Sequence, residues 1–255
     1  MRNGRWHLVP KENSLAQFRT TIDLRPVNAA TFGITWPMPN IDSELQDFEG
    51  SEFFAVIHFL SGYWQLPVDP DSYGACGVVT PIGVYSSTRV LHGLKNGSAH
   101  FQSHVEPLFS ELRGSMKAWV DDFNLHEKTE RNLLKSIERF LEICEQHNLF
   151  VSAKKSIFFA RRIKWCGRII DKHGYSYDPR NVKGLKSMTA PSTAAKLSQF
   201  IHCCRWMSTA IPDFNIRIAP LNNLLEENYL KAGKRNKYAV KNIGLDDLGL
   251  SLIHI

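Results

Sequence analysis

Two adjacent carboxylates, Asp121 and Asp122, lie between strand-forming segments, and this placement restricts how the chain can fold. Residues 116–120 alternate as in a strand, and residues 123–125 continue with mostly apolar side chains. Burying one unpaired carboxylate is costly, so two together need solvent or a cation. A hairpin with both acids at its tip meets this need, and its oxygens suit Mg²⁺. On the dipeptide alone, an ordinary Asp-rich turn is the favoured interpretation.

The other periodicities predict a mixture of strands and helices without regular alternation, which favours an α+β fold over a doubly wound α/β fold. The predicted strands cover residues 15–25, 53–60, 116–120 and 164–170, with short β segments and a turn at 81–83 between residues 73 and 90. The predicted helices cover residues 41–48, 98–112 and 129–148, and Pro107 should kink the second of them. One more helix is predicted to begin at a Ser192 cap. The apolar stripe of the helix at 129–148 contains Leu133, Leu134, Ile137, Phe140, Leu141 and Cys144.

Composition excludes several classes of protein. A chain of 255 residues with 43% hydrophobic and 22% charged residues predicts one or two folded domains rather than a disordered chain. No apolar run of membrane-spanning length and no secretory signal are present, and five cysteines without a C-x-x-C spacing indicate reduced thiols in an intracellular protein. The net charge of +6 permits a polyanionic partner, although the basic segment 231–241 fits a solvated linker better than a dedicated nucleic-acid patch.

A series of short motifs runs in one order along the chain. It comprises IDLRPVN at 22–28, WPMP at 36–39, SGYWQL at 61–66, GLKN at 93–96, Phe101-Gln102, WVDD at 119–122 and WCG at 165–167. Over about residues 8–230 this series resembles the reverse transcriptase of gypsy-type long-terminal-repeat retrotransposons. The resemblance implies a right-hand polymerase fold of fingers, palm and partial thumb. Its chemistry is template-directed nucleotidyl transfer to a primer with two Mg²⁺ ions.

The resemblance also implies a domain layout. Residues 1–160 would form the fingers (about 1–52 and 73–92) and the palm (about 53–72 and 93–160). Residues 161–230 would form the primer-grip hairpin and a partial thumb or connection. Residues 231–255 lie beyond the resemblance, and their composition predicts a basic, disordered tail. The implied partners are an RNA or DNA template with a DNA primer and deoxynucleoside triphosphates, with ribonuclease H and integrase in the parent polyprotein. The implied location is a cytoplasmic virus-like particle or the nucleus.

Site residues follow from the same motifs. Asp121 and Asp122 match the catalytic, metal-binding aspartates. The nucleotide-binding positions are Arg19, Tyr63, His92 and Gly93, and the primer or template positions are Lys154, Lys155, Trp165, Cys166 and Gly167. Without the resemblance, Tyr63 would be interpreted as a half-buried core tyrosine, Arg19 as an exposed strand residue and the lysines as ordinary surface charges.

One position departs from the pattern. The family has a third, metal-bridging aspartate in the strand before Ser-Gly-Tyr, and His58 occupies that position here. Imidazole is a poor Mg²⁺ ligand, so we expect strongly impaired polymerase activity; a retained role with manganese is the minor alternative. A neutral His58 is most simply a satisfied core residue. Two other hypotheses stay open: a non-catalytic nucleic-acid-binding remnant of a retroelement, and a fragment that does not fold stably.

Overall fold

The computed structural model describes residues 6–10, 18–37, 39–233, 240 and 243–245, with side chains from residue 21 onward. The described strands are β1 (Trp6–Pro10), β2 (Phe18–Ile22), β3 (Phe53–His58), β4 (Gly77–Thr80), β5 (Gly83–Ser86), β6 (Met116–Trp119), β7 (Asp122–Glu127), β8 (Ile157–Ala160), β9 (Arg162–Trp165), β10 (Arg168–Asp171) and β11 (Gly174–Tyr177). The described α-helices are α1 (Arg25–Ala30), α2 (Ile41–Gln46), α3 (Gly97–Val105), α4 (Glu130–Gln146), α5 (Pro179–Lys186), α6 (Ala194–Trp206) and α7 (Phe214–Ala232). Four short 3-10 helices cover Gly62–Gln65, Pro70–Cys76, Glu106–Leu112 and Ser208–Ala210.

The chain divides into two compact units, Met1–Ser176 and Tyr177–Ile255. The predicted division into fingers, palm, primer-grip hairpin and thumb is a finer, functional one, and it stays a prediction. None of the described helices combines the length and apolar character needed to cross a membrane. All five cysteines are free thiols.

The main sheet of the first unit is antiparallel, with strand order β6-β7-β3-β8. β3 is its central apolar strand, and residues 53–57 are all buried, as predicted for a strand covered on both faces. On one face Ala55 and Ile57 pack against α4 and the 3-10 segment Glu106–Leu112. On the other face Phe54 and Val56 pack with α2 and with the hairpin of β9 and β10. Apolar packing on both faces therefore fixes the register of β3.

Helix α4 covers the first face of this sheet. The Thr129 hydroxyl oxygen accepts a hydrogen bond from the Asn132 backbone N–H, at 3.3 Å, which satisfies one unpaired donor of the first turn. The predicted stripe is confirmed for four residues, but Leu134 and Leu141 are 57% and 37% exposed. The buried face of α4 follows Leu133 at steps of four and seven residues, and Leu134 and Leu141 lie beside this face rather than on it. The buried members are Leu133, Ile137, Phe140 and Cys144.

Two predicted elements of the first unit are divided in the structure. The helix predicted over 98–112 is α-helical only to Val105 and continues as a 3-10 helix that contains Pro107, because proline has no N–H to donate and displaces the preceding turn. The single strand predicted over 164–170 is a hairpin of β9 and β10. Its turn residues Cys166 and Gly167 have positive φ angles of 46° and 75°, a left-handed turn that the alternating pattern does not show.

The turn predicted at 81–83 connects β4 and β5 in a two-stranded antiparallel sheet, and this prediction is confirmed. β1 and β2 form a second two-stranded sheet. The strand predicted at 15–25 is present over the described residues Phe18–Ile22 and ends before the predicted boundary, since α1 begins at Arg25.

In the second unit, α6 and α7 pack on each other around Leu197, Ile201 and Leu221. The α6 cap is Thr193, whose hydroxyl accepts from the Lys196 N–H at 3.3 Å; the predicted cap, Ser192, is wrong by one residue because Thr193 has the extended cap backbone. Most of the predicted basic tail lies outside the described residues, but Val240 is buried in this core and the Ile243 carbonyl accepts from the Ala194 N–H at 3.0 Å.

One buried side chain in β7 is unfavourable for stability. Asn124 is fully buried, and neither its amide nitrogen nor its amide oxygen has a hydrogen-bond partner within the described part of the chain. Asn124→Leu should raise the free energy of unfolding by about 1–3 kcal/mol, because it removes an unsatisfied polar group and adds apolar contact. Urea denaturation measures the change. The exposed control Asn132→Leu should stay within about 0.5 kcal/mol, and a destabilised Asn124→Leu would contradict the account.

Candidate active site

The acid pair lies at the connection between β6 and β7, as the sequence predicted. Asp121 occupies the turn, and Asp122 begins β7 opposite Trp119. The Asp121 carbonyl accepts a hydrogen bond from the Phe59 N–H at 3.3 Å, which ties the turn to the end of β3. Val120, the residue before the pair, has a φ of 57°, which is left-handed and unusual for a β-branched side chain. The turn is therefore strained and depends on its neighbours for support.

Gln102 supplies that support from α3. Its side chain is 1% exposed, and its amide oxygen accepts a hydrogen bond from the Val120 N–H at 2.8 Å. Its amide nitrogen donates to the Glu106 carboxylate at 2.7 Å. Gln102 belongs to one of the sequence motifs, but its role in supporting the turn was not predicted. A polar side chain on the buried face of a helix was the available signal.

Gly62 allows the chain after β3 to approach the acid pair closely. A Cβ at this position would lie 3.0 Å from the Asp121 Cβ and 3.5 Å from the Phe101 ring. Any larger residue would displace Asp121 or the aromatic ring beside it. The Ser-Gly-Tyr motif therefore packs closely against Asp121 at its glycine.

His58 faces Asp122 directly. The two residues are cross-strand partners of β3 and β7, and His58 Nδ1 lies 2.5 Å from Asp122 Oδ1. The hydrogen bond to Asp122 raises the pKa of His58 above its usual range, while partial burial opposes the rise. His58 has a hydrogen-bond partner, as expected of a satisfied core histidine, but it ends the buried strand, and its side chain is 29% exposed and points at the acid pair.

The side chains at this site do not fit a two-magnesium centre. In the described part of the chain, no group of three or more His, Cys, Asp and Glu side chains could hold a metal ion. Asp122 is hydrogen-bonded to an imidazole, which leaves Asp121 as the one carboxylate of the pair without that contact. Magnesium prefers an octahedral set of oxygen ligands, and imidazole is unsuited to it.

The predicted nucleotide-binding residues are partly brought together. The Tyr63 ring makes edge contacts with His92 (4.9 Å between centroids) and Phe101 (5.6 Å), and its hydroxyl lies 2.8 Å from the Ser98 hydroxyl. Tyr63 is half-buried and packs against the main core, as expected without the resemblance, and its hydroxyl has a polar partner. The exposed Gly93 has a φ of 96°.

Asn28 holds the Gly93 turn and was missed by the sequence analysis. Its amide nitrogen donates to the Gly93 carbonyl at 2.8 Å, and its amide oxygen accepts from the Lys95 N–H at 2.7 Å. The polar residue that ends the DLRPVN motif was the available signal. Arg19 lies in β2 opposite Val9, and its side chain is outside the described part of the structure.

The predicted primer and template residues differ in burial and in their contact with the acid pair. Trp165 is 2% exposed and packs on Phe48, so it supports the hairpin from the core rather than from the surface. Burial, followed by the charge of Asp122, raises the pKa of the Cys166 thiol to about 12, so the thiol beside the acid pair stays protonated. Lys154 and Lys155 are exposed, and Lys155 is close enough to oppose protonation of His58.

The support from Gln102 can be tested by removing its hydrogen bonds without changing its size. Gln102→Met should lower the free energy of unfolding by about 1–3 kcal/mol, because the Val120 N–H in a strained turn loses its partner. Chemical denaturation provides the value. Gln199→Met at an exposed position of α6 is the control and should change it by less than about 0.5 kcal/mol. Equal stability of the two variants would contradict the role given to Gln102.

The chain is similar to parts of several known polyproteins. The chain is 25% identical over 234 residues to the retrovirus-related Pol polyprotein from transposon opus of Drosophila melanogaster, covering 91% of this chain and 23% of the relative. It is 27% identical over 230 residues to the Pol polyprotein from transposon gypsy of the same organism, covering 89% of this chain and 22% of that protein. The enzymatic polyprotein of cauliflower mosaic virus is 27% identical over 85% of this chain and 32% of its own length. The chain thus spans at most about a third of these relatives.

A solved foamy viral protease-reverse transcriptase in complex with double-stranded DNA superposes with a TM-score of 0.81 at 22% identity, covering 99% of this chain and 42% of that one. This likeness confirms the α+β right-hand polymerase fold. The family model for reverse transcriptase (RNA-dependent DNA polymerase) matches residues 9–170, more than half of the chain. The chain therefore belongs to the reverse transcriptase family.

Proposed function

We propose that this chain is a reverse transcriptase domain that binds a primer-template and is severely impaired in RNA-directed DNA synthesis. The observation behind this proposal is the 2.5 Å contact between His58 Nδ1 and Asp122 Oδ1. The expected substrates are an RNA or DNA template with a DNA primer and deoxynucleoside triphosphates. The matched relatives are Pol polyproteins, so we also expect ribonuclease H and integrase in the parent polyprotein.

Charge balance explains the expected impairment. By resemblance to the family, three carboxylates would face the divalent ions; here two carboxylates face an imidazole whose pKa is raised by Asp122. Neutral or protonated, His58 supplies no negative charge where the chemistry requires one, and its Nδ1 contacts an oxygen of Asp122. Loss of one shared ligand is expected to cost several kcal/mol of transition-state stabilisation, or about three or more decades in rate.

The substrate-facing parts of the site keep a fixed geometry. Tyr63 is held by Ser98, His92 and Phe101, a placement consistent with the steric-gate role that the family resemblance implies. Gly93 is held by Asn28 beside it. Because these contacts do not involve the acid pair, the loss of metal binding would leave the nucleotide-binding residues in place.

Binding of a primer-template is supported by exposed cations near the site. Lys154 and Lys155 form no ion pair with any other described residue, so both are available to phosphate groups. The solved neighbours include reverse transcriptases in complex with double-stranded DNA and with an RNA/DNA hybrid. A non-catalytic nucleic-acid-binding remnant is the second candidate function, favoured by the same histidine.

Restoring the carboxylate tests the proposal for catalysis. His58→Asp should extend an oligo(dT) primer on poly(rA) with Mg²⁺ at least about a thousandfold faster than the unmodified chain, because a shared metal ligand is regained. His58→Asn is the matched control: it removes the contact with Asp122 without adding a charge, and it should stay inactive. Robust Mg²⁺-dependent extension by the unmodified chain would contradict the proposal, while binding without extension in all three would favour the remnant.

The lysine pair tests the proposal for binding. The double variant Lys154→Ala/Lys155→Ala should bind an RNA/DNA hybrid more weakly and reduce the slope of log Kd against log salt by about 1–2, since each lost phosphate contact contributes about 0.9. Fluorescence anisotropy at several salt concentrations gives the slope. Arg131→Ala/Lys135→Ala on the exposed face of α4 removes the same charge and should leave the slope unchanged. Equal effects of the two double variants on the slope would show that binding depends on net charge alone, which would contradict the role given to Lys154 and Lys155.

A further inference from the structure

A pair of histidines lies on α3, apart from the acid pair. His100 and His104 are one helical turn apart, and their ring centroids are separated by 4.1 Å. His104 is exposed, and His100 is partly buried. Gln102, midway between them, points to the Val120 turn, so the two histidines occupy the opposite face of the helix.

The hydrogen bonds of His104 define its tautomer. His104 Nδ1 lies 2.8 Å from the His100 carbonyl oxygen, which can only accept, so Nδ1 is the protonated nitrogen. The Ser103 hydroxyl, 3.0 Å from the same nitrogen, donates its own hydrogen to that carbonyl. The lone pair of His104 is therefore on Nε2, and the residue is exposed. Orientation of one ring nitrogen by a backbone carbonyl is typical of metal-binding histidines.

The His100 ring is also suited to act as a ligand. Within the described part of the structure, neither of its nitrogens has a hydrogen-bond partner, so a lone pair is available. Partial burial, and next the neighbouring His104, lower the pKa of His100 below its usual range. The imidazole is thus neutral at physiological pH, as metal coordination requires.

We propose that His100 and His104 form a bidentate site for a transition-metal ion of the imidazole-binding class, with zinc(II) as the natural candidate. Two histidines at i and i+4 on one helix face are a spacing used by helical zinc sites. Zn–N bonds of about 2.0–2.1 Å place two ligand nitrogens about 3.3 Å apart, within reach of rings whose centres are 4.1 Å apart. No third side-chain ligand is present among the described residues, so solvent completes the coordination.

Magnesium does not suit this site. It prefers oxygen ligands, whereas zinc, copper and nickel accept imidazole. The site is therefore chemically distinct from the acid pair, and its occupancy does not depend on the polymerase proposal. Because α3 also contains Gln102, an ion on its outer face would stabilise the helix that supports the Val120 turn.

Thermal unfolding of the full chain with zinc chloride tests the proposal. We expect the Tm of the unmodified chain to rise by about 5–10 °C at metal concentrations about 100-fold above Kd, with one ion per chain in calorimetric titration. His104→Gln should abolish the shift, and because His104 is exposed this variant should fold normally, as circular dichroism can verify.

His202→Gln is the matched control. His202 on α6 also contacts the carbonyl four residues earlier, with Nδ1 2.6 Å from the Ser198 oxygen, but it has no histidine one turn away. This variant and His58→Asn should both keep the zinc-induced shift. A shift that persists in His104→Gln, that disappears in His58→Asn, or that is absent from the unmodified chain would overturn the proposal.

Discussion

The contact between His58 and Asp122 connects the packing of the main sheet to the chemistry of the acid pair. Apolar packing on both faces of β3 fixes its register against β7, from Phe53 opposite Glu127 to His58 opposite Asp122. A shift by one residue would turn the core side chains to the wrong face, so the register cannot relax to separate the two groups. The position of the imidazole beside the acid pair is therefore a consequence of core packing.

This contact also makes stability depend on pH. Because the folded pKa of His58 is raised, its contribution is fully present below the unfolded value and is lost as pH rises through the folded pKa. His126, which lies on β7 with Asp122, has the opposite effect on the pH dependence of stability. Burial lowers its pKa to about 4, so its contribution is present at neutral pH and is lost as pH falls toward that value. The two histidines together favour a weakly acidic to neutral optimum.

Much of the fold could be predicted from local patterns. The apolar run of β3, four members of the α4 stripe and the acid pair at a hairpin tip all follow from periodicity and the cost of burying charge. The hairpin turn at Cys166 and Gly167 could not, because a left-handed backbone at a cysteine leaves no mark in an alternating pattern. The Ser192 cap was displaced by one residue for a similar reason, since two adjacent hydroxyl residues could both accept the bond.

The candidate site was less predictable than the fold. Motif order located Tyr63, Gly93 and the aspartates, but Gln102 and Asn28 act through side-chain contacts with residues distant in sequence. His58 looked like a core residue because periodicity shows which strand is buried but does not show what faces its last residue. The strained Val120 turn, its support by Gln102 and the close approach of Gly62 keep the acid pair in place. The chain thus holds the acid pair in a fixed position with an imidazole beside it.

The central claim is that His58 is bound to Asp122 and thereby takes the place of a metal ligand. An NMR titration of the His58 imidazole, repeated with and without millimolar Mg²⁺, tests it most directly, with His58→Asn used to assign the resonance. The account predicts a pKa above the usual histidine value that Mg²⁺ leaves unchanged. A pKa at or below the usual value, or one that Mg²⁺ shifts by displacing the imidazole from Asp122, would contradict it.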